Sequence, residues 1–313
     1  MLQMAEPRPL PVTANRDMKD LLPTTSKDVP SSPKRYEVDR FKVVYALATV
    51  GIGWFLNEVV LAYIHDHVPR SIAPLPDIFF RYFPEIPEAI VIVEYIMLFM
   101  VTNALIVIVC HQHRWIVGRR VMFCVGLSYI FRSMCILLVQ VPVPSVNTYC
   151  APQSADGGFG VVMDRVVKIF WSAGIEQLRP RILCGDLIVS GHTLTLFISM
   201  MTFRHYTPRR MTYLGYFYNF LAFVALFCIL LARKHYSIDV VLGYFVSTRI
   251  FWEYHSLAYS FHQGDMDRNA LSQAIWAPFV SFFESDAPPP HLWLNALEWP
   301  SSCPSRVRRY LSM

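Results

Sequence analysis

Six apolar runs dominate this chain and fix what it can fold into: Val43–Ile64, Ala89–Cys110, Val121–Val141, Leu187–Phe203, Met211–Ala232 and Tyr236–Leu257. A membrane-spanning helix needs about 20 mostly apolar residues, because lipid offers its backbone no hydrogen-bond partners. Hydrophobic residues make up 54% of the 313 and charged residues only 16%, a balance that argues against soluble domains. The expected fold class is all-α, a polytopic membrane protein with six transmembrane helices. Glu94, Arg132, Asp239 and Arg249 lie well inside the runs and Glu58 toward the end of one. Ionisable groups are costly against lipid, so they are expected to face the interior of the bundle.

Three regions follow from the spacing of these runs. Residues 1–40, rich in Pro and Ser and nearly free of aromatics, read as a disordered cytosolic N-terminal segment. Residues 41–260 form the membrane domain, and 261–313 a cytosolic C-terminal tail. In that tail Trp276–Phe283 is too short and too proline-broken to cross a membrane. No cleavable leader is visible, so the first run reads as a retained signal-anchor. The short connections His111–Arg120 and Arg204–Arg210 are dense in arginine, whereas the longer loops 65–88 and 142–186 are sparse in basic residues. The positive-inside bias therefore puts both termini and the two short connections in the cytosol, with the long loops on the lumenal or extracellular side. The net charge of +5 is accounted for by these flanks and calls for no nucleic acid.

That topology brings two chemically loaded stretches to one depth on one side. The first is Cys184-Gly-Asp-Leu-Ile-Val-Ser-Gly-His-Thr193, where a polar turn meets the start of the fourth run. His192 would lie near a helix N-terminus at Ser190-Gly191, whose open N–H groups suit an anion. The second is His235-Tyr-Ser-Ile-Asp239, with two ionisable groups four apart and so on one helical face. Two imidazoles and a carboxylate suit phosphoryl transfer through a covalent intermediate: His235 as nucleophile, Asp239 as its orienting carboxylate and His192 as acid, then base. Taken singly, each residue has an ordinary interfacial role; matched position is what singles them out. The same set could serve zinc, but no further strong ligand is placed by the sequence, so neither a metal nor any other cofactor is assigned.

The seven cysteines contain no C-x-x-C pair. Cys110, Cys124, Cys135 and Cys228 fall in or at the ends of spans and read as small packing residues. Cys150 and Cys184 share the loop assigned to an oxidising compartment and are expected to pair. Such a bridge would close a loop of about 35 residues, worth roughly 3–4 kcal/mol in the chain-entropy account.

At this point the chain resembles the sphingomyelin synthase family, a membrane branch of the lipid phosphate phosphatase superfamily. Four motifs can be matched in order across roughly residues 41–260. Ala73-Pro-Leu-Pro-Asp77 matches a proline-rich element with its first proline replaced. Arg119-Arg120 through Tyr129, Arg132 and Leu138 to Pro142-Val-Pro144 matches an arginine-rich element. The Cys-Gly-Asp-x-x-x-Ser-Gly-His-Thr element is complete at 184–193, and His-Tyr-x-x-Asp-Val at 235–240. The resemblance implies a transferase that needs no cofactor. Phosphatidylcholine would give phosphocholine to His235 and leave as diacylglycerol, and ceramide, activated by His192, would then take it. Headgroup contacts are expected from Asp77, Asp186, Ser190, Gly191 and Lys234. The family's place is the Golgi lumen or the outer face of the plasma membrane, and a homo-oligomer is compatible with it.

Two residues depart from the family's pattern. Gly243 stands where relatives commonly have alanine, and Lys234 where the residue before the motif histidine is usually acidic. An ammonium there repels a cationic headgroup. This opens ethanolamine as an alternative to choline; a snorkelling lysine would leave choline the expected headgroup. The other readings are a lipid phosphate hydrolase, a transporter using Glu94, Arg132 and Arg249, and a silent lipid binder. Each fits the pair of histidine motifs less well.

Overall fold

The computed structural model describes residues 38–154, 158–170 and 183–298. The expected disorder before residue 38 and the last residues of the tail lie outside the described residues. The described chain is helical, and no strand forms within it. Its long helices are α1 (Phe41–Ile64), α3 (Ala89–Cys110), α4 (Arg114–Leu138), α6 (Gly191–Tyr206), α7 (Thr212–Leu231) and α8 (Ser237–Gln263). Three shorter ones sit between or after them: α2 (Ile78–Tyr82), α5 (Phe159–Phe170) and α9 (Ala277–Glu284).

Four helices are long and apolar enough to cross a membrane: α1, α3, α4 and the segment Arg209–Leu231 that contains α7. Each buries less than half of its most apolar stretch. Leu47, Phe55, Leu105, Phe220 and Phe223 stand exposed, as expected of side chains that face lipid rather than protein. Of the remaining two runs, one forms the interior and the other flanks it with one face exposed. Helix α6 has only 16 residues, of which His192–Leu194, Leu196–Phe203 and Tyr206 are buried. It is surrounded by α3, α4, α7 and α8. Helix α8 has the length but carries Asp239, Arg249 and Glu253. It packs on α6, α4 and α9 and stops at Gly264, whose left-handed φ of 73° closes the helix in the usual way.

The tightest pairing, α1 against α4, depends on two glycines. A Cβ on Gly126 would lie 2.6 Å from the Thr49 carbonyl, and one on Gly53 would lie 2.5 Å from the Gly126 carbonyl oxygen. Small residues let backbones approach where lipid supplies no hydrophobic drive between helices.

The sequence puts the third span's start at Val121, but α4 begins at Arg114, so Arg119 and Arg120 lie inside a helix and are buried. The C-terminal segment makes this tolerable. Helix α9 packs against α4 and α8, and Glu284 accepts from Arg120 Nε at 2.9 Å and Nη2 at 2.5 Å, and from the Tyr254 hydroxyl at 2.9 Å. His262 Nε2 adds a contact at 3.1 Å. Asp286 takes both Arg119 Nη atoms at 2.8–2.9 Å and Lys42 Nζ at 2.8 Å. Residues 296–298 then pair with 110–112, and Trp293 lies under the Arg120 guanidinium at 4.4 Å. The segment after α8 is thus a packed part of the bundle and ties α1, α4 and α8 together. Burial alone would raise the Glu284 carboxyl, but Arg120, His262 and Arg119 together outweigh it and hold the group well below the usual carboxylate range. Its contribution to stability is complete above that range and is lost only as pH falls through the depressed value.

Two outcomes follow for thermal unfolding in detergent. Gly126→Leu is expected to cost about 1–3 kcal/mol, while Gly51→Leu, with open space at its Cβ, leaves the melting temperature unchanged. Glu284→Gln leaves the Arg120 charge buried without a carboxylate and is expected to cost about 3–5 kcal/mol.

Candidate active site

His192 is the second residue of α6, and Ser190 caps that helix, its hydroxyl accepting from Thr193 N at 3.3 Å. Helix α6 therefore begins at Gly191, at the N-terminus expected from Ser190-Gly191, although the apolar run starts at Leu187; residues 183–190 form an irregular segment packed inside the protein. Within it Ile188 has φ of 77°, a left-handed conformation that a β-branched residue adopts only under constraint. The constraint is visible: Ile188 N donates to Asp239 Oδ1 at 2.9 Å.

His235 lies two residues before α8, in the link that leaves α7. Arg233 in that link also has positive φ, 47°. Asp239, on the first turn of α8, reaches back so that Oδ2 accepts from Tyr236 N at 3.0 Å and stands 3.4 Å from His235 Nδ1. Its backbone carbonyl accepts from Ser190 N at 3.2 Å. One residue thus fastens both motif stretches. Helices α6 and α8 can approach this closely because position 243 is glycine: a Cβ there would lie 2.9 Å from Thr193 Cβ and 3.1 Å from the Ser190 carbonyl.

The two histidine rings face each other edge to face with centroids 6.1 Å apart. His192, His235 and Asp239 are 7%, 3% and 0% exposed, so a reaction here would proceed largely out of bulk water. With Nδ1 turned to Asp239, Nε2 is the His235 nitrogen on the far side of the ring. Both imidazoles line a cavity of about 60 Å³ together with Asp186, Arg233, Lys234, Thr148 and a wall of Val143, Pro144 and Leu187. That is space for a few waters or one phosphoryl group, not for a diacyl lipid.

The other residues singled out in the sequence divide into two groups. Lys234 and Asp186 line the cavity, and Asp186 is ion-paired with Arg132. Gly191 packs on the Arg132 guanidinium, where a Cβ would sit at 3.4 Å. Asp77 does not line the cavity; its carboxylate is engaged with Ser237 and the α2 N-terminus. A disulfide joins Cys150 to Cys184, whose Cα atoms are 5.6 Å apart. Cys184 N donates to His65 Nδ1 at 2.9 Å. Burial, with Arg165 and Arg70 nearby, lowers the His65 imidazole below its usual value and so favours the neutral ring, which such a bond requires.

The sequence placed Arg132 inside the bundle and in the arginine-rich element but gave it no task in the phosphoryl-transfer site. In the structure it donates from Nε to the Val189 carbonyl at 2.9 Å and bonds Asn57 Oδ1, so it holds the irregular segment from beneath. Its position inside an apolar run was the available signal. Nothing in the local pattern marked Ile188 or Arg233, because their strain exists only in the folded backbone.

Comparison with known proteins fits this arrangement. The PAP2 superfamily C-terminal model matches residues 183–256, the stretch that holds both histidines. Sphingomyelin synthase-related 2 of Caenorhabditis elegans is 57% identical over 255 residues, which cover 82% of this chain and 78% of that protein. Phosphatidylcholine:ceramide cholinephosphotransferase 1 of the same organism is 32% identical over 263 residues, 83% of this chain and 56% of that protein. Phosphatidylcholine:ceramide cholinephosphotransferase 2 of Homo sapiens is 30% identical over 287 residues, 90% of this chain and 77% of that protein. With the extent of these matches and the motifs in place, the chain belongs to the sphingomyelin synthase family.

Proposed function

We propose that this protein is a membrane transferase that moves phosphocholine from phosphatidylcholine to ceramide through a phosphohistidine at His235, releasing diacylglycerol. The observation that carries the reading is the pair of buried imidazoles across one small cavity, with Asp239 beside the Nδ1 face of His235. The named activity of two relatives supplies the lipids.

In the first half-reaction His235 Nε2 attacks phosphorus, and the bond from phosphorus to the glycerol oxygen breaks. His192 gives its proton to that oxygen, and diacylglycerol leaves. Asp239 stabilises the imidazolium that forms on His235. In the second half His192, now neutral, takes the proton of the ceramide primary hydroxyl. The resulting oxygen attacks phosphorus, and the bond to His235 breaks. The positive end of α6 supports charge on the phosphoryl oxygens. The cavity holds only the phosphoryl centre, so the acyl chains lie along the bundle in lipid.

The same reading takes α6 and α8 as two further crossings, six in all. It places the cavity on the lumenal or extracellular face, of Golgi or plasma membrane, and residues before α1 and after α8 in the cytosol. The Cys150–Cys184 disulfide suits an oxidising side for the cavity.

Purified protein in liposomes with ceramide and headgroup-labelled phosphatidylcholine or phosphatidylethanolamine tests this. Ceramide-dependent sphingomyelin formation is expected, and water-dependent release of headgroup phosphate alone would indicate a hydrolase. His235→Ala and His192→Ala are each expected to lose at least about 10³-fold while remaining folded. Without ceramide, the label is expected on His235. Asp239→Asn should cost less than His235→Ala, since the attacking nitrogen remains. Full activity in either alanine variant would sink the mechanism.

A further inference from the structure

His235 is not on a helix. It sits in the link between α7 and α8, where Arg233 is left-handed, so its position depends on what clamps the residues after it. On the inner side Asp239 holds Tyr236 N. On the outer side the clamp comes from the first loop, far away in sequence. Asp77 Oδ2 accepts from Ser237 N at 2.7 Å, and Oδ1 accepts from the Ser237 hydroxyl at 2.8 Å and from Phe79 N at 2.8 Å. Two residues earlier, Leu75 N donates to the Tyr236 hydroxyl at 2.9 Å, which itself donates to the Pro142 carbonyl at 3.0 Å. The segment 75–77 is therefore a strap across Tyr236 and Ser237. Prolines at 74 and 76 limit the conformations from which it must be ordered.

We propose that Asp77 is a positioning residue for His235, acting through Ser237, and not a ligand of the lipid headgroup. A carboxylate has about four acceptor sites, and three of these are filled by fixed donors of this chain. Asp77 also lies outside the lining of the cavity that holds both histidines. Without the carboxylate, Ser237 N at the first turn of α8 loses its partner, and the backbone that carries His235 loses its outer restraint. This inference rests on the proposed role of His235 as nucleophile.

The test uses full-length protein in ceramide-containing liposomes and compares Asp77→Asn, Asp77→Ala, Ser237→Ala and Asp77→Ala with Ser237→Ala. Positioning predicts that Asp77→Ala lowers kcat about 10- to 100-fold with the donor KM changed by less than about twofold. Asp77→Asn, which keeps one acceptor oxygen, and Ser237→Ala, which loses only the hydroxyl bond, should fall between Asp77→Ala and wild type. The double variant should be no worse than Asp77→Ala alone. The ratio of choline to ethanolamine products should not move. A raised KM at unchanged kcat, or a shifted headgroup ratio, would overturn the proposal and make Asp77 a headgroup ligand. A second arm needs no turnover: carbethoxylation of His235 by diethyl pyrocarbonate, followed by mass spectrometry. Its rate should change in Asp77→Asn and Ser237→Ala while the melting temperature stays near wild type. An unchanged rate in both would overturn the positioning role even in a protein that shows no transfer to ceramide, and that absence would count against the transferase reading alone.

Discussion

The Asp239 carboxylate is the point on which the reactive end of this bundle depends. Its two oxygens and its backbone carbonyl take Ile188 N, Tyr236 N and Ser190 N, and it also stands against His235 Nδ1. A fully buried carboxylate is costly unless hydrogen-bonded, so the surrounding amides stabilise the charge while the charge fixes the amides. The strained backbone at Ile188 persists because this bond over-determines it. An orienting carboxylate would normally be described through its histidine alone. Here it also sets the start of α6, and therefore the place of the second histidine.

The opposite end of the bundle is held by charge as well, though with a different effect. Arg119 and Arg120 face Asp286 and Glu284 in bidentate pairs, with Lys42 and His262 completing the set. Such pairs add little over well-packed apolar residues, but breaking one leaves an uncompensated charge in the interior. They act as a register device: α9 can dock in only one way without stranding a guanidinium. Because Lys42 lies on α1, the arginines on α4 and Tyr254 on α8, one short C-terminal segment fixes three long helices at the end away from the histidines.

What the sequence disclosed and what it hid follow the range of the interactions. The apolar runs and the histidine motifs are local patterns, and the meeting of His192 and His235 across one cavity, with Asp239 behind His235, follows from two such patterns placed by one topology. The start of α4 is not local. Arg119 and Arg120 look like a cytosolic flank until carboxylates some 165 residues away are brought beside them. Asp77 is similar: as a lone acid in a proline-rich loop it suggests a headgroup contact, and only the fold presents Ser237 to it, 160 positions on. The apolar run is also longer than its helix, since Leu187, Ile188 and Val189 belong to the run but serve as irregular backbone before Gly191.

That irregular stretch bears on how a reaction can be placed within a membrane. Helix α6 has 16 residues and so runs about 24 Å, less than the hydrocarbon thickness of about 30 Å. On the proposed topology residues 183–190 make up the difference in non-helical backbone, which lipid would not tolerate but protein surroundings do. Arg132 from below, Asp239 from the side and the Cys150–Cys184 disulfide satisfy or restrain it. On the proposed topology this recesses His192 below the membrane surface while leaving a polar cavity above it. Helix α7, with 20 residues, then has to run back farther than α6 came, which carries the chain to the level of that cavity before α8 begins. His235 falls in the reversal between α7 and α8, and the two histidines meet because a short helix and a longer one are joined in antiparallel. On the proposed topology, the difference in length between these two helices sets the depth of the site.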